Sequence, residues 1–388
     1  MRRYPTFDEA QTAAEMLFLF YSSAEARLYR LGATKARTAS LQSADAGLHA
    51  TLNATAEQPT SPLSVQPKIQ APATSSFASG ASDALEALHQ RWDSHAMTAF
   101  SILSNPNRGN GSVALNPLVQ LRIAANYRLQ QMSGEQSTTL SELSQRDDQY
   151  GLFARCEMQV THMPAAPLLP LINLPRRSER PFLDGALTDS IWENAEELLL
   201  APFVRDAVDP ATGTRRKSLS SGADVSSLTM LAWDEEYLYV AARLQRAPEK
   251  SRPVELAMHR SYDAKHENRD RLELEIDTDR DFGTAFQLTV DESGETSDRC
   301  WMLDKWDPKW FVALDSDAGT WRIEAAIPLK ELSATGAKPG DLWNIRLRRI
   351  IPGVLQHELQ TGTNAVSSDG TGMVRFIRPR RTTASSRP

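Results

Sequence analysis

Cysteine is scarce. Cys156 and Cys300 are the only two in 388 residues, and they stand far apart. Two cysteines cannot build a disulfide framework, so both read as free thiols. Long apolar runs are missing as well. No stretch approaches the roughly 18–20 residues that a membrane span needs. A basic excess is also lacking: the net charge is −6. That balance argues against a general nucleic-acid binder, which carries a basic face to neutralise phosphates. The N-terminus has two arginines and a short apolar core, "MLFLFY", but Asp8, Glu9 and Glu15 precede that core. A clear export signal is therefore absent from this stretch. No repeat recurs at a fixed period.

What is present divides the chain into unlike halves. At roughly 100–200 residues per domain, the length suggests two to three domains. Residues 1–32 hold an alanine-rich helical pattern over 8–31, without Gly or Pro. Residues 33–80 are rich in Ala, Ser, Thr, Pro and Gln. Such a segment buries too little apolar surface to offset its ordering entropy, so it reads as a disordered linker. Helical patterns return within 81–160, at about 81–104, 115–133 and 138–147. This half shows no chemical motif. Residues 161–180 read as a stiff connector, since five prolines fall between 163 and 181.

From 181 to 379 short alternating runs recur between turn residues. "LTMLAWDEEYLYVAARL" holds two strands around "DEE", and "RLELEID" and "TAFQLTV" are two more. "WFVAL", "WRIEAAIPL", "LWNIRLRRI" and "GMVRFIRP" follow. Strands of this length and spacing predict an antiparallel β-sandwich. Residues 380–388 read as a disordered tail. The expected fold class is thus multidomain, α plus all-β: a helical N-terminal region, a long linker and a C-terminal antiparallel β-sandwich.

Three groups of residues are candidates for function. Glu273 and Glu275 share one strand face, next to Gln287 and Thr289 on the following run. A sugar presents hydroxyls that carboxylates and amides can hydrogen-bond, and a weakly apolar face that suits an indole. The second group supplies indoles: Trp301, Trp306 and Trp310 lie among Asp304, Lys305, Asp307 and Lys309, as an exposed platform or as core anchors. The third group is Asp277, Asp279 and Asp281 at alternate positions in a turn. Alternate carboxylates can converge on calcium, which takes six to eight oxygens. Phe282 and Leu288 stand where an EF-hand needs Gly and Glu, so the EF-hand is excluded. The alternative is a solvated acidic turn.

Five stretches carry a resemblance. "LDGALTDSIWENA" (183–195), "WDEEYLYVAARL" (233–244), "RDRLELEIDTDRD" (269–281), "WRIEAAIPLKEL" (321–332) and "GDLWNIRLRRI" (340–350) occur in this order. Together they resemble the family 9 carbohydrate-binding modules, β-sandwiches of the broader DOMON-like class, over about 181–379. The resemblance implies binding of a polysaccharide or oligosaccharide, with Glu273, Gln287 and Thr289 facing it. It also implies structural calcium, work outside the cytoplasm, and association with enzymes that hydrolyse O-glycosyl compounds in carbohydrate catabolism. Two positions depart from the family's tryptophan clamp: Glu267 replaces one indole, and 361–372 has no aromatic. Alternatives are an interaction sandwich with a degenerate sugar site, a glycoside hydrolase using Glu273, Glu275 or Glu324, and a haem-binding module. The last needs an axial Met or His, and Met258, His259, His266 and Met302 are its candidates.

Overall fold

Leu272, Leu274 and Ile276 alternate with Glu273, Glu275 and Asp277, and that period of two becomes the centre of a sheet. The computed structural model describes residues 7–29, helical positions between 87 and 99, 115–161, 167–202, 207–208, 215–216, 225–247, 263–266, 268–353, 355–359 and 370–379. The expected linker over 33–80, the tail over 380–388, Met258, His259 and Glu267 lie outside the described residues, as does most of 361–372.

The chain forms two compact units. The smaller contains helix α1 (Phe7–Ser22) and the helical positions between 87 and 99. Within it the Tyr21 and His95 rings meet at 4.9 Å. The helix predicted over 8–31 is interrupted rather than continuous: α1 ends at Ser22, whose hydroxyl turns back to donate to the Phe18 carbonyl at 2.6 Å, and helical residues resume over 24–29.

The larger unit comprises Ser23–Ala26 and everything from Ala114 onward. It has helices α2 (Pro117–Leu129), α3 (Ser133–Ser144) and α4 (Gln149–Thr161), followed by the strands. These are β1 (Leu171–Pro175), β2 (Leu198–Pro202), the short pair β3 (Ala207–Val208) and β4 (Arg215–Arg216), β5 (Ser227–Trp233) and β6 (Tyr237–Gln245). Then come β7 (Arg271–Asp277), β8 (Phe286–Asp291), β9 (Thr296–Cys300), β10 (Phe311–Ser316), β11 (Thr320–Pro328), β12 (Leu342–Ile351), β13 (Leu355–Leu359) and β14 (Thr371–Ile377). One layer runs β1-β14-β12-β7-β8-β9 and the other β10-β11-β6-β5-β2, with β13 bonded to both β12 and β2. This is the expected β-sandwich.

Three expectations need correction. The stretch read as a connector holds β1, which pairs in parallel with β14. As the terminal strand of its layer, β1 tolerates Pro175 at its end, where a missing donor costs little. The sandwich is therefore not wholly antiparallel. Helices α2–α4 are not a separate region either. Leu121, Leu140, Leu143, Leu152 and Phe153 pack in one cluster with Leu342 and Met373 from the sheet. Removing this apolar surface from water, at about 25 cal/mol per Å², joins the helices to the sandwich.

Between the layers, Trp233, Trp321, Phe286, Phe376 and Leu347 are buried. Arg349 is buried with them. Its guanidinium donates to Asp270 at 2.9 and 2.5 Å, to Ser227 Oγ at 2.8 Å and to the Gln245 carbonyl at 2.6 Å. Two sequence signatures become structural here. Glu324 on β11 is buried and accepts from Trp192 Nε1 at 2.7 Å and from the Asp184 and Gly185 amides at 3.0 and 2.8 Å. Gly185 has φ +83°, and a Cβ there would meet the Asp315 nitrogen at 2.4 Å. Asp234 accepts from the Glu236 and Tyr237 amides and the Tyr239 hydroxyl, closing the β5–β6 turn.

Candidate functional site

Strand β7 carries two electrostatic environments on one face. Its first half lies beside an open cleft of about 630 Å³ lined by Arg271, Glu273, Gln287, Thr289, Ser297 and Arg299, among others. Register explains the grouping. Glu273 pairs with Thr289 and Thr289 with Ser297; Glu275 pairs with Gln287 and Gln287 with Arg299. The polar positions of three strands therefore share one side, while Leu272, Leu274, Leu288 and Val290 turn to the core.

The glutamates are held by arginines. Glu273 accepts from Arg271 Nε at 2.8 Å and from Arg348 at 2.9 Å. Glu275 accepts from Arg348 at 2.9 Å and Arg346 at 2.7 Å. Arg299 Nε donates to Gln287 Oε1 at 2.7 Å, fixing the amide. The result is a rigid set of donors and acceptors with little net charge, which suits a neutral polyol. It does not suit glycoside hydrolysis by Glu273 and Glu275, which needs a proton-bearing acid beside a free base. One cleft carboxyl differs. Burial, with Asp307 and Asp263 nearby, pushes Asp298 up to about 7 against a hydrogen bond from Trp310.

The three tryptophans separate. Trp306 is buried, with its ring 4.5 Å from that of Phe286, so it is core and not an exposed plate. Trp301 sits half-buried in a turn at φ 52° and does not line the cleft. Trp310 is half-buried and donates Nε1 to Asp298 at 3.1 Å, which places its indole at the cleft margin. The haem reading loses His266, since Asp291 holds its Nδ1 and Ser297 its Nε2, each at 3.0 Å.

The second half of β7 leads into the aspartates, and these are buried rather than solvated. Asp277 accepts from the Asp281 and Phe282 amides and from Asn344 Nδ2 at 3.0 Å. Asp281 accepts from the Gly283 and Thr284 amides, both at 2.7 Å. The N-terminal half, which showed no chemical motif, supplies the rest. Glu25 accepts from the Thr278 amide and hydroxyl, both at 2.7 Å. Arg122 of α2 is fully buried and pairs with Asp279 and, at 3.3 Å, with Asp281. Arg280 and Arg128 both pair with Glu157 of α4. Nothing in "LRIAANYRL" marks Arg122, because a helical arginine reads as solvent-facing until its partner is known.

Burial, reinforced by mutual repulsion, holds Glu25, Asp277 and Asp281 above the ordinary carboxylate range. One oxygen from each of Glu25, Asp277 and Asp279 lies within 4.8 Å of the others. Asp279 Oδ1 is buried without a hydrogen-bond partner. Hard oxygen donors with one vacant lone-pair position fit a calcium-like cation.

No protein-family model matches the chain, and no curated protein matches it. Solved structures do. The chain is similar to carbohydrate-binding modules of family 9. One is the module from Caldicellulosiruptor kristjanssonii in complex with cellotriose, at 16% identity and TM-score 0.34, covering 56% of this chain and 98% of that one. The same organism's module in complex with glucose matches at 16% identity and TM-score 0.35, covering 55% and 99%. Among the described residues, no helix is long and apolar enough to cross a membrane.

Proposed function

We propose that the larger unit binds a polysaccharide or oligosaccharide in the cleft beside β7, β8 and β9. The observation carrying this is the arginine-clamped outer face: Glu273, Gln287 and Thr289 side by side, charge-matched and fixed, with the Trp310 indole at the margin. Sugar hydroxyls exchange water for such pre-positioned groups without a large reorganisation cost. Hydrogen bonds to ionised partners contribute about 1.5–3 kcal/mol each. The five sequence signatures support the same reading. In it the unit anchors the chain to a glycan and accompanies, without itself performing, hydrolysis of O-glycosyl compounds outside the cytoplasm. The test is affinity electrophoresis of the full chain in gels containing xylan, cellulose derivatives, mannan or other glycans. Retardation by at least one supports the proposal, and equal mobility in every gel removes it.

A second site accompanies the first. The acid cluster takes a structural divalent cation, with Glu25, Asp277 and Asp279 as ligands. Support comes from four buried carboxylates, Glu25, Asp277, Asp279 and Asp281, of which Asp279 and Asp281 pair with Arg122. Its contribution would be to neutralise charge and tie α2 to the sheet.

A further inference from the structure

The cleft contains a second arrangement that sugar binding does not use. Asp291 ends β8 and is fully buried. Its Oδ1 accepts from the Ser293 amide at 2.9 Å, the Ser293 hydroxyl at 2.6 Å and the Glu295 amide at 3.2 Å. Those bonds lock the carboxylate and leave Oδ2 facing His266 Nδ1 at 3.0 Å. His266 Nε2 lies 3.0 Å from Ser297 Oγ. A carboxylate at Nδ1 fixes the tautomer: Nδ1 carries the proton and donates, so Nε2 accepts from the serine hydroxyl. Ser297 and His266 both line the cleft, and so do Arg271 and Arg299. Arg271 also donates to the His266 carbonyl at 3.1 Å, holding the ring's backbone in place.

A serine, a histidine and a buried carboxylate in this order of contact are recognised by geometry, not by sequence position. We propose that Ser297, His266 and Asp291 form a nucleophilic triad that removes O-acyl groups from a glycan lying in the cleft. The inference rests on the sugar-binding reading for its substrate class: esters of sugar hydroxyls. Ser297 Oγ bonds to the ester carbonyl carbon while its proton passes to His266 Nε2. The tetrahedral adduct collapses and breaks the bond to the sugar oxygen, which takes the proton from His266. Water then attacks the acyl-serine, again losing a proton to His266, and the carboxylic acid leaves as Ser297 is reprotonated. Arg271 and Arg299 provide the positive charge near the developing oxyanion. Asp291 is a positioning residue: it holds the imidazole, is itself held by Ser293, Glu295 and, at 3.6 Å, Arg269, and does not touch the reacting ester.

The full chain is treated with a fluorophosphonate serine probe, and separately with acetylated xylan while acetate is measured. The expected result is a covalent adduct on the peptide bearing Ser297, together with acetate release. Ser297→Ala and His266→Ala should lower acetate release by on the order of 10²–10⁴-fold. Asp291→Asn should lower kcat with KM unchanged and shift the pH profile, which a merely structural role would not do. Wild-type protein that melts cooperatively yet gives neither adduct nor acetate overturns the triad, whatever the variants do. Retention on deacetylated xylan without adduct or acetate rejects the triad and leaves the binding site standing. Adduct and acetate without retention on any glycan keep the triad and reject that site.

Discussion

The two halves of β7 solve the same problem in opposite ways. Glu273 and Glu275 are matched by Arg271, Arg346 and Arg348 beside an open cleft. From two residues further on, Asp277, Asp279 and Asp281 are buried and join Glu25, and Arg122 pairs with Asp279 and Asp281. The first arrangement spreads its charge among half-buried partners and stays beside open space that a ligand can enter. The second concentrates charge where water is excluded and closes against its own helices. One strand thus carries a recognition surface at one end and a structural knot at the other. The difference lies in the partners and the open cleft, since Glu273 is itself buried but is matched by arginines.

That contrast can be broken most forcefully at Arg122. Removing one partner of a buried ion pair leaves an uncompensated charge, so Arg122→Met should destabilise the larger unit by about 3–5 kcal/mol. Urea unfolding with and without calcium measures it, and a loss below about 1 kcal/mol would show that the knot is not held by that guanidinium. Calcium against EDTA is the next test. At a hundredfold excess over Kd a bound cation adds about 2.7 kcal/mol, or roughly 5–10 °C in Tm for a unit of this size. An unchanged Tm would count against the cation.

pH sharpens the contrast. Glu25, Asp277 and Asp281 are held above their unfolded values, so the stability they contribute is present below about pH 4 and lost as pH rises through their folded values. Asp298, raised to about 7, acts in the same direction. Asp234 and Asp291 are held low because hydrogen bonds outweigh burial, and their contribution is lost only as pH falls below about 4. In EDTA the Tm should therefore fall as pH rises from 5 to 8, and calcium should flatten the slope. A Tm that rises over that range would contradict the charge assignment. The smallest effect belongs to the open half. Glu275→Gln should cost no more than about 1 kcal/mol, since its arginine partners are partly solvated.

The sequence carried most of the sandwich. Leu272-Glu273-Leu274-Glu275 folds with the alternation it displays, and Glu273, Gln287 and Thr289 share a face because antiparallel register places them there. What it hid was long-range. Trp306 sits among charges in sequence yet buries itself against Phe286, because a ring can reach the core from a polar loop. β1 hid among prolines, since its pairing partner lies some 200 residues later. Arg122, Glu25 and His266 carry no local pattern; each is defined by a partner on another element. Asp277, Asp279 and Asp281 were visible as a trio, but their burial depends on α2 and α4.

The central claim is that the polar face of β7–β9 holds a neutral glycan. Calorimetric titration of the full chain with soluble oligosaccharides of whichever glycan retards it tests this most directly, comparing wild type, Gln287→Ala and, as a remote control, Glu235→Ala on the exposed β5–β6 turn. The account predicts saturable binding that weakens about tenfold or more in Gln287→Ala, from loss of about 1.5 kcal/mol or more, and is unchanged in Glu235→Ala. Binding that is equal in all three proteins, or absent from wild type, would contradict it.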